Sequence, residues 1–270
     1  MRAGAAIPLK PRSALAIALV SIVGVVGFAW PLFVSSSSSM AGSHRSDAPF
    51  LFALMLPLLL MVVLAELSDG GIDSKAIAML GVLSAVDAIL RPLGAGTGGI
   101  EVMFFLLVLA GRVFGAGFGF VLGCTSMFAS AILTAGIGPW LPFQMLGAGW
   151  VALGAGLLPP LRGKAEIALL AVYGAFSGLM YGWILNFWFW PLGTAGEPAI
   201  SVVPGGPLLT NLQHFLAFNL ATSLGWDLGR AITTTVLILL TGRPILLTLR
   251  RASRKAAFGA ARVEPTHSGG

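Results

Sequence analysis

Apolar residues run through this chain in long blocks, and polar residues are confined to the short segments between them. The blocks predict helices over Ala14–Val34, Phe50–Leu67, Lys75–Leu90, Ile100–Ala110, Gly115–Ala135, Phe143–Leu158, Glu166–Trp190 and Asn211–Leu240. A membrane-crossing helix needs about 20 apolar residues, so most of these blocks match a bilayer. The fourth is short and the last is long, which implies tilt or partial spanning there. The expected fold class is an all-α integral membrane protein with about eight transmembrane helices.

Small residues add a second pattern. Gly111, Gly115, Gly119 and Gly123 recur every fourth residue. Four residues advance a helix by one turn plus a small drift, so the glycines predict one smooth stripe. No hydrophobic force drives helices together in lipid, and close backbone approach at small residues takes its place. The stripe ends before Gly136-Ile137-Gly138-Pro139-Trp140-Leu141-Pro142, an uncharged aromatic turn into another small-residue helix. Such spacing is dense after residue 74 and missing before it. The chain therefore divides into a two-helix N-terminal extension (1–73), a six-helix core (74–243) and a basic tail (244–270) ending in disorder.

Composition narrows the class. The 270 residues are 57% hydrophobic and 10% charged, against roughly 25% charged in soluble domains. The net charge of +6 gathers mainly at the two ends, which suits anionic headgroups and leaves no folded basic domain for a nucleic acid. Eight crossings put both termini on one side, together with Arg112 and the Arg162–Lys164 turn. The opposite loops carry only His44, Arg45, Asp47, Arg91 and Glu197. The positive-inside rule then makes both termini cytoplasmic. The first block is longer than the roughly 7–15 residues of a signal-peptide core, so an uncleaved helix is expected. Ser35–Ser39 opens a flexible linker. Ser68–Ser74, with Glu66, Asp69 and Asp73, makes an acidic turn. Pro191–Pro207 is the longest outer loop.

From Lys75 to Arg251 the order of features resembles the substrate-binding S component of energy-coupling-factor (ECF) type vitamin importers. The residues that carry the resemblance are a basic residue opening a small-residue helix (Lys75 to Ala85), the turn Gly111-Arg112-Val113-Phe114-Gly115 and the hairpin Gly138-Pro139-Trp140-Leu141-Pro142-Phe143-Gln144-Met145. They continue with the small-residue helix to Gly156, a basic turn, a long helix ending in aromatics at Trp190, and a last helix from Asn211-Leu212 into a basic tail. The two N-terminal helices depart from the minimal pattern of that family. The resemblance implies a plasma-membrane subunit that captures a vitamin or related micronutrient. A transmembrane T component and two ATPase subunits would power transport. It also implies that the T component grips small residues of the first core helix, here Ala78, Gly81 and Ala85. Gly81 and Ala85 keep small-xxx-small spacing, and Val82 interrupts the Ala78 register.

The residues themselves say less about chemistry. No Gly-x-x-x-x-Gly-Lys-Ser/Thr loop is present, so a phosphate cradle is not encoded. Gly94–Gly99 is glycine-rich but follows no strand. His44, His214 and His267 lie far apart, without metal-ligand spacing. No nucleophile and base stand close in sequence, so no catalytic residue, metal or cofactor is assigned. Binding is easier to argue, because polar groups in membrane helices are costly unless paired or ligated. Arg91, Glu101, Trp140, Gln144, Asn186, Trp190, Asn211, His214 and Asn219 all fall near the outer ends. Together they have the composition of a sparsely polar aromatic pocket. Plain roles compete with this one. Trp140, Trp183, Trp188 and Trp190 suit an interfacial belt. Arg91 suits headgroup contact or a pair with Asp87, and Asn186 and Asn219 suit interhelical bonding. Asp227 and Arg230, three residues apart, read as a structural ion pair or partner contact. Few charges and many aromatics favour a large or neutral ligand, a cobalamin-like corrinoid among vitamins. The competing function classes are a self-sufficient secondary transporter or channel, and a membrane-embedded enzyme.

Overall fold

The computed structural model describes residues 6–32, 74–94, 97–193 and 197–256. Among them are eight helices: α1 (Pro11–Ala29), α2 (Ser74–Leu90), α3 (Met103–Phe114), α4 (Ala116–Leu133), α5 (Leu141–Leu157), α6 (Gly163–Gly193), α7 (Leu208–Thr222) and α8 (Leu224–Ala256). A single 3-10 turn, Trp30–Leu32, follows α1. Among the described residues, four segments are long and apolar enough to cross a membrane: Pro11–Leu32, Ala116–Leu133, Gly163–Trp190 and Leu224–Ala256. The apolar helices α3 and α5 are shorter than that. The expected helix over Phe50–Leu67, the serine linker, the acidic turn and the last residues of the tail lie outside the described residues.

Two seams of small residues organise the bundle. In the first, a Cβ on Gly119 or Gly123 of α4 would overlap the backbone of Ala152 or Ala148 on α5, and one on Gly156 would come within 2.5 Å of the Ala116 nitrogen. Spacing by four on both helices lets the backbones touch along antiparallel lines. The second seam joins α6 to α8. There Gly174 faces Thr234 and Ile238, Gly178 faces Ala231, and Gly182 faces Asp227 and Arg230.

The glycine stripe is not one straight line. Gly115 takes φ 105°, ψ 172° and separates α3 from α4, a conformation that glycine reaches without a Cβ penalty. The amides of Ala6 and Ile7 donate to the carbonyls of Val113 and Phe114 at 3.0 Å, which satisfies two carbonyls at the end of α3. Chain reversal returns Gly119 toward Gly111, whose Cα lies 3.2 Å from a Cβ built at Gly119. Helix α3 is short because it sits inside the bundle. Every residue of it except Arg112 is buried, and a helix apolar on all sides belongs in such a place.

The last expected helix also differs. The chain breaks at Ser223 into α7 and α8, and α8 then passes through Pro244 to Ala256. Residues 244–256 are therefore helix, and the core does not stop at residue 243. Pro244 removes one ladder bond, a defect that packed neighbours tolerate in membrane helices. Packing holds the far end, where Leu246 and Leu249 are buried. Arg250 Nη2 bonds Glu166 Oε1 at 2.6 Å, and Arg112 Nε donates to the same oxygen at 2.8 Å. This cluster ties the ends of α3 and α8 to the start of α6.

Helix α1 does not stand apart as an extension. Ile17, Val20 and Phe28 belong to the main apolar core. The Phe28 ring lies 4.8 Å from that of Phe143, and Trp150 Nε1 donates to Ser21 Oγ at 2.9 Å. The opposite side of α1 exposes Leu15, Leu19, Ile22 and Val26, as α8 exposes Ile232, Leu239 and Leu240. Apolar side chains facing outward on long helices are what a lipid environment requires.

Candidate functional site

A cavity of about 410 Å³ opens at the end of the bundle where α2 stops and α3, α5 and α8 start. Side chains from six stretches of chain converge on it, Thr134 at the end of α4 among them. Arg91 and Pro92 follow α2, and Glu101 precedes α3. Trp140 and Gln144 open α5. Tyr181 and Leu185 come from α6, and Trp226 and Arg230 come from α8. The volume sits in the lower part of the roughly 300–1,000 Å³ range of small-molecule pockets.

Local sequence shapes the walls. Gly99 has φ +79°, and a Cβ there would strike the backbone carbonyl of Trp226. A Cβ on Gly229 would strike that of Gly98. Glycine at 99 and 229 thus lets the loop before α3 lie directly on the first turns of α8. Across the cavity, Gly136 N donates to Ala131 O at 2.8 Å and closes the end of α4. Trp140 Nε1 donates to Gly136 O at 3.2 Å, and the indole covers Gly138 so closely that no side chain fits there. The hairpin thereby fixes the Trp140 ring at the rim.

Two arginines have opposite surroundings. Arg230 is buried, and both of its terminal nitrogens are engaged, while its Nε has no hydrogen-bond partner among the described residues. Its Nη2 lies 2.8 Å from Glu101 Oε1, and its Nη1 lies 2.8 Å from Asp227 Oδ1 and 3.1 Å from Gly178 O. Its guanidinium also sits over the rings of Tyr181, 5.1 Å away, and Phe104, 5.7 Å away, a cation–π arrangement. Arg91 meets only neutral groups among the described residues. Its Nη1 is 3.4 Å from Ser130 Oγ and its Nη2 is 3.2 Å from Gln144 Oε1. These are long bonds for a guanidinium. No carboxylate lies within ion-pair distance of Arg91 among the described residues. Asp87 therefore does not pair with it. Its carboxylate is buried, with the Ser126 hydroxyl beside it among the described residues.

The expected site residues separate into two groups. Arg91, Glu101, Trp140 and Gln144 meet at the cavity. The other five serve the protein's own frame. Asn186 Nδ2 donates to Asn219 Oδ1 at 2.7 Å and to Ser223 Oγ at 2.5 Å, which secures the α7–α8 break against α6. Asn211 exchanges two bonds with the backbone of Val203, at 2.8 and 3.0 Å. His214 Nδ1 lies 2.7 Å from Ser201 O, and Trp190 Nε1 donates to Ile200 O at 2.5 Å. Together these bonds fasten the loop before α7 onto α6 and α7.

Tyr181, Trp226 and Arg230 are the aromatic and charged wall residues that sequence reasoning did not assign to the site. Arg230 carried a signal: a charge inside an apolar helix is a functional candidate by default. Tyr181 and Trp226 carried none beyond their chemistry. Ala78, Gly81 and Ala85 all lie on the exposed face of α2. Nothing among the described residues comes within 4 Å of a Cβ built at Gly81. No family model, curated protein or solved structure matches the chain.

Proposed function

We propose that this protein is a membrane-embedded capture subunit, one that binds a small molecule at the outer face while separate ATPase and T subunits power its import. The cavity carries the reading. It is a preformed, aromatic-walled space at one end of an all-helical bundle, with few polar groups, in a chain with no nucleotide loop. Such a space can hold a ligand but has no evident energy source. The charges suit this orientation. Arg112, Arg162, Lys164, Arg250, Arg251, Arg254 and Lys255 gather at the end opposite the cavity, and the positive-inside rule then directs the cavity outward across a plasma membrane. The ordered resemblance to ECF S components supports the same function.

The exposed face of α2 is the proposed grip for the T component. A leucine at Gly81 or Ala85 adds bulk where no described residue of this chain packs, so folding should persist. Close helix approach by a partner should not. The expected result is co-purification of a T component and two ATPases with the wild type, and at least a tenfold lower complex yield with Gly81→Leu. Equal yields, or no ATPase with the wild type, would contradict the proposal.

One observation favours a second reading, a self-sufficient carrier. Asp87 is an ionisable group fully buried in α2, with no cation within ion-pair distance among the described residues. A proton-coupled carrier keeps a carboxylate in such a place.

A further inference from the structure

The chemistry of the ligand can be read from the two charged groups that the fold leaves incompletely matched at the cavity. The inference rests on the capture reading and deepens it. Arg91 is a cation whose described partners are the hydroxyl of Ser130 and the amide oxygen of Gln144, both beyond 3.1 Å. A guanidinium presents a planar fork of donors that matches a carboxylate in two parallel bonds. At Arg91 that match is missing, and the residue lines open space.

Glu101 is the complement. One of its oxygens accepts from Arg230, which Asp227 also holds. Two carboxylates thus share one guanidinium, and neither has a cation of its own among the described residues. Asp227 is 1% exposed and belongs to the frame, whereas Glu101 is 30% exposed and lines the cavity. The cavity therefore has a positive pole at Arg91 and a negative pole at Glu101. Trp140, Tyr181 and Trp226 line the same cavity.

We propose that the cavity takes a small carboxylate-bearing molecule with a hydrogen-bond donor away from the carboxylate. Arg91 holds the carboxylate, Glu101 accepts from the donor, and the aromatic walls cover the middle. A neutral amide or alcohol of the same shape leaves Arg91 with its two long bonds and gains nothing from the charge. A dianion would bring its second charge toward Glu101.

Matched pairs test this directly. The full chain, purified in detergent, is mixed with biotin or biotinamide, pantothenate or panthenol, and nicotinate or nicotinamide, each up to 10 mM. Binding is read by thermal stabilisation and by isothermal titration. The expected result is that at least one acid with a separate donor, biotin or pantothenate, stabilises the wild type, and that its neutral partner binds at least tenfold more weakly. Charge-assisted hydrogen bonds support a loss of about ten- to a hundredfold. Arg91→Gln should weaken the acid by the same factor and leave the neutral partner unchanged. Arg91→Lys should restore part of the affinity, since it keeps the charge and loses the fork. Glu101→Gln should weaken the acid as well.

Equal or tighter binding of the neutral partners would overturn the proposal. So would unaltered acid binding in Arg91→Gln, or no stabilisation by any acid at 10 mM. Co-purification of the ATPases needs no ligand. Ligand binding can therefore fail this test while the capture reading stands, and the reverse is equally visible.

Discussion

Replacing Arg230 by leucine should lower the stability of the fold by about 3–5 kcal/mol, the usual effect of breaking a buried ion pair. The side chain is 8% exposed, and Asp227 beside it is 1% exposed. Without the guanidinium, the Asp227 carboxylate stays buried against Gly182 with no cation, and Glu101 loses its partner too. The Gly178 carbonyl loses its donor at the same time. A double variant, Arg230→Leu with Asp227→Leu, should recover a good part of the loss, because well-packed apolar replacements of buried pairs are often neutral. Arg91→Leu should behave differently. It removes two long bonds to neutral groups and should cost about 1 kcal/mol or less. Reversible unfolding in mixed micelles measures all three. If Arg91→Leu proves as damaging as Arg230→Leu, Arg91 is a frame residue and its assignment to ligand fails.

Gly123→Leu should be the most damaging change in the small-residue seams, at about 3 kcal/mol or more. A Cβ there would overlap the Ala148 carbonyl and come within 2.5 Å of the Gly149 nitrogen. Those atoms are helix backbone and cannot rotate aside, so α5 itself must move away. The displacement would propagate along the seam to Gly119 and Gly156, and to the α5 residues Trp140 precedes and Gln144 occupies at the cavity. Gly225→Ala is the control, since a Cβ there meets nothing within 4 Å. It should change stability by about 0.5 kcal/mol at most. Comparable losses in the two variants would mean that the seam does not hold the bundle.

The seams were legible because close backbone approach in lipid demands small residues at a fixed spacing, and spacing survives in the sequence. Their geometry was not. Gly115 fits the stripe as well as its neighbours do, and only its φ of 105° shows that the helix reverses there. The break at Ser223 was hidden for a similar reason. Leu224 and Gly225 continue an apolar run, and the side chains that seal the break include Asn186 from another helix. Pro244 misled in the other direction, since a residue that breaks helices in water is carried by packing in this bundle.

At the cavity, the residues found from sequence were those near helix ends that topology placed on one face. Arg91, Glu101, Trp140 and Gln144 met there. Asn186, Trp190, Asn211, His214 and Asn219 have equally suitable chemistry, yet their bonds go to the protein's own carbonyls, amides and hydroxyls. A sequence shows that a polar group in a membrane needs a partner. It does not show whether that partner is a ligand or a backbone atom several helices away. Arg230 was read as half of an ion pair, which it is, and its place in the cavity wall depends on how α8 packs against the loop at Gly98 and Gly99.

This chain is proposed to capture a ligand without itself driving uptake. Vesicles reconstituted with the chain alone, and supplied with the acid that stabilises it, test that claim most directly. The account predicts saturable binding of about one ligand per chain and no accumulation against a gradient. Uphill uptake should appear only when the co-purified partner subunits and ATP are added. ATP-independent accumulation by the chain alone, driven by a proton gradient and lost in Asp87→Asn, would contradict the account and establish the self-sufficient carrier instead.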